Sequence, residues 1–593
     1  MSTSSYDFRR KRNLRIIVGS LWVLVCIIVG LSLAYWFTRT KPLEEINQNH
    51  PSLGGPYKHA AVASDAGPCS HVGTDILQRN GSAVDSAIAT MLCVGVINMH
   101  STGIGGGGFM LVYNRSRASA EVFDFRETAP EKAKEDMFKN ASFKEINSTL
   151  ATGVPGEVRG YYTAWQAYGR LPWKQLVQPA IDKAKYGFLI NPALYMTMLK
   201  EKDSLKKDPG LREILTDKDG NLKNLGDNIT NPQYANTLEK IRDDPESFYK
   251  GSLAEEIVKD IQRRGGIITL QDLQDYKVIR KKALVNQLGD ITWYTVPPPS
   301  SGPVITLILN ILKGSYNMTS ESRASTAKSS LTYHRIIEAF KFGYSWRARL
   351  GDPAFVSGMS EVVSKMTNQT FAETLRQKIW DNQTHSNASY YGNFRFAKDY
   401  GTSHLSVLSP NGDAVALTST INYYFGCKYR STKTGITYNN EMGDFSTPGQ
   451  LNPDEIEPSK SNFIKPGKRP QSSMSPVIFT DRNGRVRLVA GASGGPLITT
   501  AVSLAVINEL WLSRGISNAI DYPRVHHQLF PKTVMIEEPP YTISRGIQDG
   551  LRARKHNITV KDAYAAVQAI VRNRNEEIYG KSDPRKYGWP DGF

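Results

Sequence analysis

The sequence predicts an α/β protein preceded by one membrane-spanning helix, and three observations support this. The 593 residues are 40% hydrophobic and 22% charged, a composition typical of a folded chain that excludes a disordered, collagen-like or multi-span membrane protein. Strand-like segments alternate with amphipathic helical segments, which is typical of helices that cover a sheet. A single apolar run occupies residues 16–37.

The apolar run is long enough for a helix that crosses the roughly 30 Å hydrocarbon layer of a bilayer. Basic residues precede it at Arg9, Arg10, Lys11, Arg12 and Arg15, whereas only Arg39 and Lys41 follow closely. The positive-inside bias therefore places residues 1–15 in the cytosol and everything after residue 37 outside it. A cleaved signal peptide is the alternative, but its apolar region is usually about 7–15 residues long.

Glycosylation sequons and cysteines fit an extracytosolic region. The convincing sequons are at Asn114, Asn140, Asn147, Asn228, Asn317, Asn368, Asn382, Asn387 and Asn557. Cys26 lies in the apolar run, so Cys69, Cys93 and Cys427 remain, and we favour a disulfide between Cys69 and Cys93 that leaves Cys427 free. Three unpaired thiols are the alternative.

Residues 38–55 are rich in Pro, Asn and charge and are predicted to form a stalk, so the globular region begins at residue 56. The formal net charge of the chain is +17. Such a charge favours anionic partners, which include nucleic acid, lipid headgroups and small carboxylates. Charge alone does not choose among them.

A helical pattern at residues 73–99, interrupted near 80–81, leads into the glycine-rich segment 103–108. The letters of this segment fit the G-x-G-x-x-G motif of dinucleotide-binding proteins. That motif follows a strand and opens a helix, whereas residues 109–113 and 120–125 are predicted as a pair of strands. We therefore predict close packing of the glycine backbone rather than a nucleotide site.

The middle of the chain, residues 130–398, alternates amphipathic helical stretches such as 253–264 and 333–349 with Pro- and Gly-rich turns. These helices are predicted to cover a sheet. After residue 401 the pattern changes to two strands, 402–409 and 414–422, joined as a hairpin.

The turn of this hairpin fixes which side chains meet. A bulged three-residue loop at 411–413 places Thr402 opposite Asn422, on the same sheet face as Thr420. A strict two-residue turn at 411–412 places Ile421 opposite Thr402 instead. The sequence leaves both registers open.

Residues 491–495 read Gly-Ala-Ser-Gly-Gly and fit the G-x-S-x-G nucleophile elbow of serine hydrolases, with Ser493 as nucleophile. Asp521 with His526 or His527 could complete a triad in the required chain order, although the spacing is short. The same letters fit a tight turn whose free amides point at an anion, with no nucleophile. Both interpretations remain open at this point.

A series of motifs, in order along nearly the whole chain after the stalk, resembles the γ-glutamyltransferase family, also called γ-glutamyl transpeptidase or glutathione hydrolase, in its animal type II membrane form. The motifs are Ala60-Ala-Val-Ala-Ser-Asp65, Gly81-Ser-Ala-Val-Asp-Ser-Ala-Ile88, Gly103-Ile-Gly-Gly-Gly107, Phe125-Arg-Glu-Thr-Ala-Pro130, Val154-Pro-Gly-Glu-Val-Arg-Gly160, Gly401-Thr-Ser-His404, Ser419-Thr-Ile-Asn422, Asn439-Asn-Glu-Met-Gly-Asp-Phe445 and Pro470-Gln-Ser-Ser-Met474. The resemblance implies the four-layer αββα sandwich of N-terminal-nucleophile hydrolases.

The resemblance also implies that the chain cuts itself between Gly401 and Thr402. The catalytic region would then consist of a heavy chain, residues 56–401, which follows the anchor and the stalk, and a light chain, residues 402–593, held together as a heterodimer. Cleavage would give Thr402 a free α-amine, whose pKa near ~7.7–8.0 suits a base that takes the proton of its own hydroxyl.

Roles for the other site residues are likewise implied by the resemblance. They are hydrogen bonding to the nucleophile (Thr420), an oxyanion hole made by two amides (Gly494 and Gly495), binding of a substrate α-carboxylate (Arg126, Ser472 and Ser473), binding of its α-ammonium (Asn422, Glu441 and Asp444) and a lid over the pocket (Tyr424). No metal or cofactor is implied.

The implied activity is cleavage of the γ-glutamyl bond of glutathione and its conjugates, with transfer of the γ-glutamyl group to water, amino acids or dipeptides. The implied location is the plasma membrane, with the catalytic region extracellular and with no nucleic-acid partner. Two alternatives remain: a serine hydrolase that uses Ser493, and a non-catalytic glycosylated ectodomain of the same fold.

Overall fold

A computed structural model describes residues 51–313, 316, 318–392, 401–449, 458–562 and 565–593. The apolar run at residues 16–37 and the sequon at Asn317 lie outside these ranges. Within the described ranges, no helix has both the length and the apolar character that a bilayer span requires.

The strands of the described residues, in chain order, are β1 (Leu53–Tyr57), β2 (Ala61–Ser64), β3 (Gly107–Asn114), β4 (Ser119–Asp124), β5 (Phe188–Leu189), β6 (Asn228–Ile229), β7 (Ile279–Lys282), β8 (Leu284–Leu288), β9 (Ile291–Thr295), β10 (Gly401–Leu408), β11 (Ala414–Asn422), β12 (Val477–Thr480), β13 (Val486–Ser493), β14 (Val525–His526), β15 (Val534–Glu537), β16 (Ile558–Lys561), β17 (Ala566–Arg572), β18 (Ile578–Ser582) and β19 (Asp591–Gly592).

The α-helices of the same residues are α1 (Gly67–Gln78), α2 (Ala83–Ile97), α3 (Phe143–Ile146), α4 (Glu157–Tyr168), α5 (Trp173–Tyr186), α6 (Pro192–Lys200), α7 (Lys202–Lys207), α8 (Pro209–Leu215), α9 (Pro232–Asp243), α10 (Ser252–Arg263), α11 (Leu270–Asp275), α12 (Gly302–Lys313), α13 (Thr326–Arg347), α14 (Met359–Thr367), α15 (Gln369–Arg376), α16 (Leu497–Val506), α17 (Ile516–Asp521) and α18 (Arg545–Ala553). A π-helical turn, Ile507–Trp511, extends α16.

Two seven-stranded sheets form the centre of the fold. Sheet 1 has the order β19-β2-β10-β11-β3-β4-β7, and sheet 2 has the order β1-β18-β17-β13-β12-β9-β8. Each sheet therefore combines strands from before and after the predicted cleavage point at residue 401.

Three hydrophobic cores divide the molecule into four layers. Phe109 and Leu111 of β3 pack with Val489 of β13 between the two sheets. Met110, between them on β3, points to the other face and packs with α1, α2, α4 and α5. On β13, Leu488 likewise faces α12, α13 and α16. Because side chains of a strand alternate between its two faces, each sheet contacts the other sheet on one face and helices on the other. The result is an αββα sandwich, the fold that the resemblance of the motifs implies.

The first predicted helix is confirmed as two helices, α1 and α2. Ser82 begins α2 with a capping box, in which its hydroxyl accepts from the amide of Asp85 and the Asp85 carboxylate accepts from the amide of Ser82. A disulfide with an S–S distance of 2.04 Å joins Cys69 of α1 to Cys93 of α2. Cys427 is a free, buried thiol.

The predicted strand pair after the glycine-rich segment is confirmed as β3 and β4, with Met110 opposite Phe123. No helix follows the glycines directly, so the context of a dinucleotide loop is missing from this part of the chain. The predicted helices 253–264 and 333–349 correspond to α10 and α13, although α13 begins already at Thr326.

The hairpin of β10 and β11 is confirmed, but both predicted registers are wrong, because Thr402 lies opposite Thr420. The amide of Ser409 donates to the carbonyl oxygen of Asp413 (3.0 Å), and the amide of Gly412 donates to that of Ser409 (3.0 Å). The three-residue loop is therefore 410–412, one residue earlier than predicted. Gly412, with φ +84°, closes this turn in the left-handed conformation.

A β-bulge in β11, beside Thr402, changes the register of the hairpin at its end. Gly401, rather than Thr402, lies opposite Asn422, and the irregularity falls between Gly401 and Thr402. Asn422 takes a left-handed backbone conformation with φ +74°. The bulge re-aims the end of β11, a common arrangement beside active sites.

The predicted glycosylation sites that are described are all at least partly exposed: Asn114, Asn140, Asn147, Asn228, Asn368, Asn382, Asn387 and Asn557. Exposure is what attachment of a bulky glycan requires.

Candidate active site

Two threonine hydroxyls meet at the end of the β10–β11 hairpin. The Oγ1 atoms of Thr402 and Thr420 lie 3.2 Å apart, and the Thr420 hydroxyl donates to the carbonyl oxygen of Gly401. The amide of Asn422 donates to the Thr420 Oγ1 atom at 2.8 Å. Because a hydroxyl carries one proton, the proton between the two threonines belongs to Thr402, whose lone pairs stay available for attack.

The backbone around this pair is packed too tightly for side chains. A Cβ atom on Gly401 would lie 2.6 Å from the carbonyl oxygen of Asn422, and one on Gly106 would lie 1.9 Å from that of Thr420. The glycine-rich segment thus brings its backbone against β11 directly behind Thr420, which confirms the close-packing interpretation.

A buried lysine links the threonine strand to the Ser493 turn. The Nζ atom of Lys586 donates to the carbonyl oxygen of Thr402 at 2.5 Å and to the Oγ atom of Ser493 at 3.4 Å. It also forms an ion pair with Asp65 at 2.5 Å, and Gln568 donates to the other Asp65 oxygen at 2.6 Å. Burial raises the pKa of Asp65, and the Lys586 ammonium opposes this.

His404, two residues after Thr402, is not placed to act as its base. Its ring nitrogens bond to the hydroxyls of Thr418 (2.8 Å) and Ser406 (3.3 Å). Burial lowers the pKa of His404 to about 3, so its ring is neutral at physiological pH. Gly491 of sheet 2 packs against this ring.

Arg126 lies in a buried cluster of acids. Its guanidinium pairs with Glu441 at 2.5 Å and with Asp444 at 2.6 Å, and it lies 3.7 Å from Glu127. Burial raises the pKa of Glu127 well above its usual range, although the Arg126 charge opposes the shift. Arg126 is therefore paired with Glu441 and Asp444, the acids predicted to bind the substrate's ammonium group.

Among the buried acceptors of this region without a hydrogen-bond partner in the described residues, two belong to residues predicted to bind an ammonium. They are the Oδ1 atom of Asn422 and the Oδ1 atom of Asp444. The side-chain amide of Asn422 is held in place because its Nδ2 group donates to the carbonyl oxygen of Asn440 at 3.0 Å. Buried acceptors without partners are costly unless a ligand supplies donors, and an ammonium group supplies three.

Ser472 and Ser473 lie next to the same cluster. The Arg126 guanidinium donates to the carbonyl oxygen of Gln471 at 3.4 Å, so Arg126 contacts the residue directly before Ser472. Both serines are buried, with exposed fractions of 2% and 4%. The structure therefore brings together the residues predicted to bind the two charges of a substrate head group.

The Ser493 segment forms a tight turn between β13 and α16. Gly494 and Gly495 take positive φ values of 122° and 57°. Their carbonyl oxygens accept from the amides of Leu497 and Ile498, which begin the helix. The shared contact with Lys586 places this turn beside Thr402.

Tyr424 begins a strained loop after β11. Its ring is partly buried, lies 5.9 Å from the ring of His100 and has the Lys200 ammonium 5.4 Å from its centre. Lys428 donates to the Tyr424 carbonyl oxygen and pairs with Glu201 at 2.9 Å. The loop is thereby tied to helices of the layer that covers sheet 1.

The predicted serine triad does not form. His526 bonds to Thr500 at 2.8 Å and to Gln528 at 3.0 Å, and Asp521 pairs with Lys581 at 2.8 Å. Ser493 instead accepts a hydrogen bond from the Nζ atom of Lys586, which also pairs with Asp65, so its neighbour is a donor rather than a base. The turn interpretation of the Gly-Ala-Ser-Gly-Gly segment is the one that fits.

Sequence reasoning missed three groups that contact this site: Lys586, Arg347, and Glu157 on the opposite face of β11. Arg347 donates to the Ser473 hydroxyl at 3.0 Å, and the hydroxyls of Ser419 and Thr102 donate to Glu157. Burial raises the pKa of Glu157 to about 7. Glu157 lies in the motif of residues 154–160, which gave it no role, whereas Lys586 and Arg347 lie in none of the quoted motifs and reach the site only through folding.

The profile of one protein family, described as gamma-glutamyltranspeptidase, matches residues 69–592. The chain is 40% identical over 576 residues to Scoloptoxin SSD14 of Scolopendra dehaani, with 96% of this chain and 98% of that protein covered. It is 39% identical over 551 residues to Glutathione hydrolase 2 of Arabidopsis thaliana, covering 90% and 94%. It is 35% identical over 569 residues to the human Glutathione hydrolase 5 proenzyme, covering 93% and 96%.

Solved structures share the fold. A cephalosporin acylase from Bacillus halodurans superposes with a TM-score of 0.77 at 24% identity, covering 91% of this chain and 96% of that one. A gamma-glutamyltranspeptidase chain from Helicobacter pylori superposes with a TM-score of 0.51 at 29% identity, covering 54% of this chain and 92% of that one.

Proposed function

The chain belongs to the gamma-glutamyltranspeptidase family, and from this premise we propose that it is a self-cleaving enzyme for γ-glutamyl bonds. Its substrates are glutathione and glutathione conjugates, and the γ-glutamyl group passes to water, an amino acid or a dipeptide. The observation that carries the proposal is the Thr402–Thr420–Gly401 chain of hydrogen bonds, which joins a nucleophile to the carbonyl that it would first attack.

Maturation begins with attack of the Thr402 Oγ1 atom on the carbonyl carbon of Gly401. The Thr402 proton passes to Thr420, and the Thr420 proton passes to the oxyanion that forms on Gly401. The Gly401–Thr402 C–N bond then breaks, its nitrogen takes up a proton, and an ester remains. Water hydrolyses this ester, which leaves a Gly401 carboxylate and a free α-amine on Thr402.

Catalysis repeats the attack on the substrate's γ-carbonyl carbon. The new α-amine takes the Thr402 proton and gives it to the departing amine, so that a γ-glutamyl ester forms on Thr402. Water or an acceptor amine then releases the glutamyl group. The amides of Gly494 and Gly495, which follow the end of β13 in a turn with positive φ values, stabilise the oxyanion of this second reaction.

The substrate's zwitterionic head group exchanges partners with the acidic cluster. Its α-ammonium takes Glu441, Asp444 and the unpartnered Asn422 oxygen, while its α-carboxylate takes Arg126. Each charge released by the protein finds an opposite charge on the substrate, so the buried cluster stays balanced. Tyr424 closes over the head group.

The two products of maturation, whose catalytic parts are residues 56–401 and 402–593, stay together as a heterodimer. Support comes from sheet 1, where β10 and β11 of the light chain are flanked by β2 and β3 of the heavy chain. Separating them would expose sheet edges and the buried core between the sheets.

The proposal includes a plasma-membrane location with an extracellular catalytic region. The apolar run at 16–37 and the basic residues before it would supply the anchor. Exposure of the described sequons is compatible with glycosylation outside the cytosol.

The test is a denaturing gel together with mass spectrometry of purified wild-type protein. We expect two fragments, a light chain whose first residue is Thr402, and a γ-glutamyl adduct on Thr402 when turnover is quenched. Thr402→Ala should stay intact and should release no product, a loss of at least about 10⁴-fold in rate.

Ser493→Ala is the matched control, because Ser493 is the alternative candidate nucleophile and Lys586 contacts both residues. It should mature and form the adduct. An intact wild-type chain with full turnover, or an adduct on Ser493, would contradict the proposal.

A further inference from the structure

A second buried arginine, Arg347, reaches the segment predicted to bind the substrate's α-carboxylate. Arg347 is the last residue of α13 and has an exposed fraction of 6%. Its Nη2 atom donates to the Ser473 Oγ atom at 3.0 Å, and its Nε atom donates to the Ser301 Oγ atom at 3.1 Å. The guanidinium thus bridges two hydroxyls from different parts of the chain.

This contact fixes the direction of the Ser473 hydroxyl. A guanidinium carries only donors, so the Ser473 oxygen must accept and its own proton remains for another acceptor. The same holds for Ser472, whose oxygen accepts from the amide of Met474 at 3.2 Å. Both serine hydroxyls are therefore set as donors, and a carboxylate is an acceptor only.

The backbone of the serine segment is held by the same group of residues. The Ser301 hydroxyl donates to the carbonyl oxygen of Ser472 at 2.7 Å, and the Ser301 amide donates to that of Met474 at 3.0 Å. The Gln471 side chain donates to the carbonyl oxygen of Arg347 at 2.6 Å. Arg347 therefore contacts the Ser473 hydroxyl directly and also contacts Ser301, the residue that holds the backbone of the segment.

We propose that Arg347 is a positioning residue that orients the Ser473 hydroxyl toward the substrate's α-carboxylate and so determines selectivity for γ-glutamyl groups. Arg126 donates to the carbonyl oxygens of Pro470 and Gln471 at 3.4 Å, so the two arginines hold one segment at its two ends. Arg126 contacts the substrate, and Arg347 acts through Ser473. This inference rests on the proposed function and extends it to a residue outside the pocket.

The test compares Arg347→Gln with wild type on two amides, γ-glutamyl-p-nitroanilide and the 4-aminobutanoyl analogue that lacks the α-carboxylate. We expect kcat/KM for the γ-glutamyl amide to fall about 10- to 100-fold, mainly through KM, since a hydrogen bond to a charged group is lost. The low rate on the analogue should not change. Arg347→Lys, which can still donate to Ser473, should recover part of the loss.

A double-mutant cycle with Ser473→Ala decides the case independently of the analogue. If Arg347 acts through Ser473, then Arg347→Gln combined with Ser473→Ala should be no slower than Ser473→Ala alone. Arg349→Gln, an exposed arginine two residues away, is the matched control and should behave as wild type. Each variant is first checked for complete maturation on a gel.

Equal losses on both amides, or additive effects in the cycle, would overturn the inference. If Arg347→Gln does not mature, the cycle of Arg347→Lys with Ser473→Ala gives the same decision. Absence of any γ-glutamyl turnover by the wild-type protein would refute the proposed function instead, so the two failures are distinguishable.

Discussion

Thr402 and Ser493 are two hydroxyl residues that contact the same lysine, yet only one is equipped for attack. Thr402 is the second residue of β10 in sheet 1, and Ser493 is the last residue of β13 in sheet 2. The Lys586 ammonium reaches the backbone of the first, at its carbonyl oxygen, and the side chain of the second, at its hydroxyl. The lysine therefore positions Thr402 without occupying its hydroxyl, whereas it engages the hydroxyl of Ser493.

The difference shows that a nucleophile is defined by the partners of its oxygen. The Thr402 oxygen has a proton acceptor, Thr420, and a carbonyl carbon beside it, that of Gly401. The Ser493 oxygen has a cation that lowers its ability to attack. Its segment contributes glycine amides instead, which suits stabilisation of negative charge.

The largest expected effect comes from filling the space before Thr402. In Gly401→Ala the new Cβ atom would meet the Asn422 carbonyl oxygen at 2.6 Å, so the Gly401 carbonyl must shift away from Thr420. We expect almost complete loss of maturation, read as an intact chain on a denaturing gel after purification.

Gly289→Ala is the control, since Gly289 has a positive φ of 64° but open space around its Cβ position. It should lower stability by about 1 kcal/mol and mature normally. Normal maturation of Gly401→Ala would break the link between the packed backbone and self-cleavage.

An intermediate effect is expected from Gly494→Ala in the Ser493 turn. A side chain is disfavoured at φ 122°, so the turn should relax and move an oxyanion donor. We expect kcat to fall about 10²- to 10³-fold, measured by release of p-nitroaniline. Maturation should continue, because the Gly401 oxygen is bonded to Thr420 in the uncleaved chain; a failure to mature would mean that both reactions use the same donors.

The smallest effect is a change in pH dependence from Glu157, which lies behind the Thr402 region. Its pKa is about 7 in the folded protein and 4.5 ordinarily. Between these values the folded state holds a proton that the unfolded state has lost, so the free energy of unfolding falls as pH rises through this window. In Glu157→Gln the free energy of unfolding should fall less over the same pH range. The thermal midpoint of this variant should therefore decrease by a few degrees less than that of the wild type.

Thermal unfolding from pH 4.5 to 7.5 checks this prediction. Glu538→Gln, at an exposed glutamate, should keep the wild-type slope. An unchanged slope in Glu157→Gln would contradict the raised pKa of Glu157 as a source of the pH dependence of stability.

Local patterns predicted most elements of the fold but misplaced the critical register. Alternation identified β3, β4, β10 and β11, and the position of the turn between the last two was wrong by one residue. Moving the loop by one residue shifts every cross-strand pair by two residues, so Thr402 lies opposite Thr420 rather than Asn422. A turn of Pro, Asn, Gly and Asp offers several closures of similar energy, and the packing of β11 against β3 selects one.

The sequence by itself determined the composition of a folded α/β chain, the apolar run, the order of the family motifs and the residue types of the site, since these depend on neighbours along the chain. The tertiary structure alone decided that Lys586 joins Thr402 to Ser493, that Arg347 orients Ser473 and that Arg126 pairs with Glu441 and Asp444. These contacts join residues far apart in the chain. Their geometry follows from the packing of two sheets against each other and against their helices, and no local pattern encodes it.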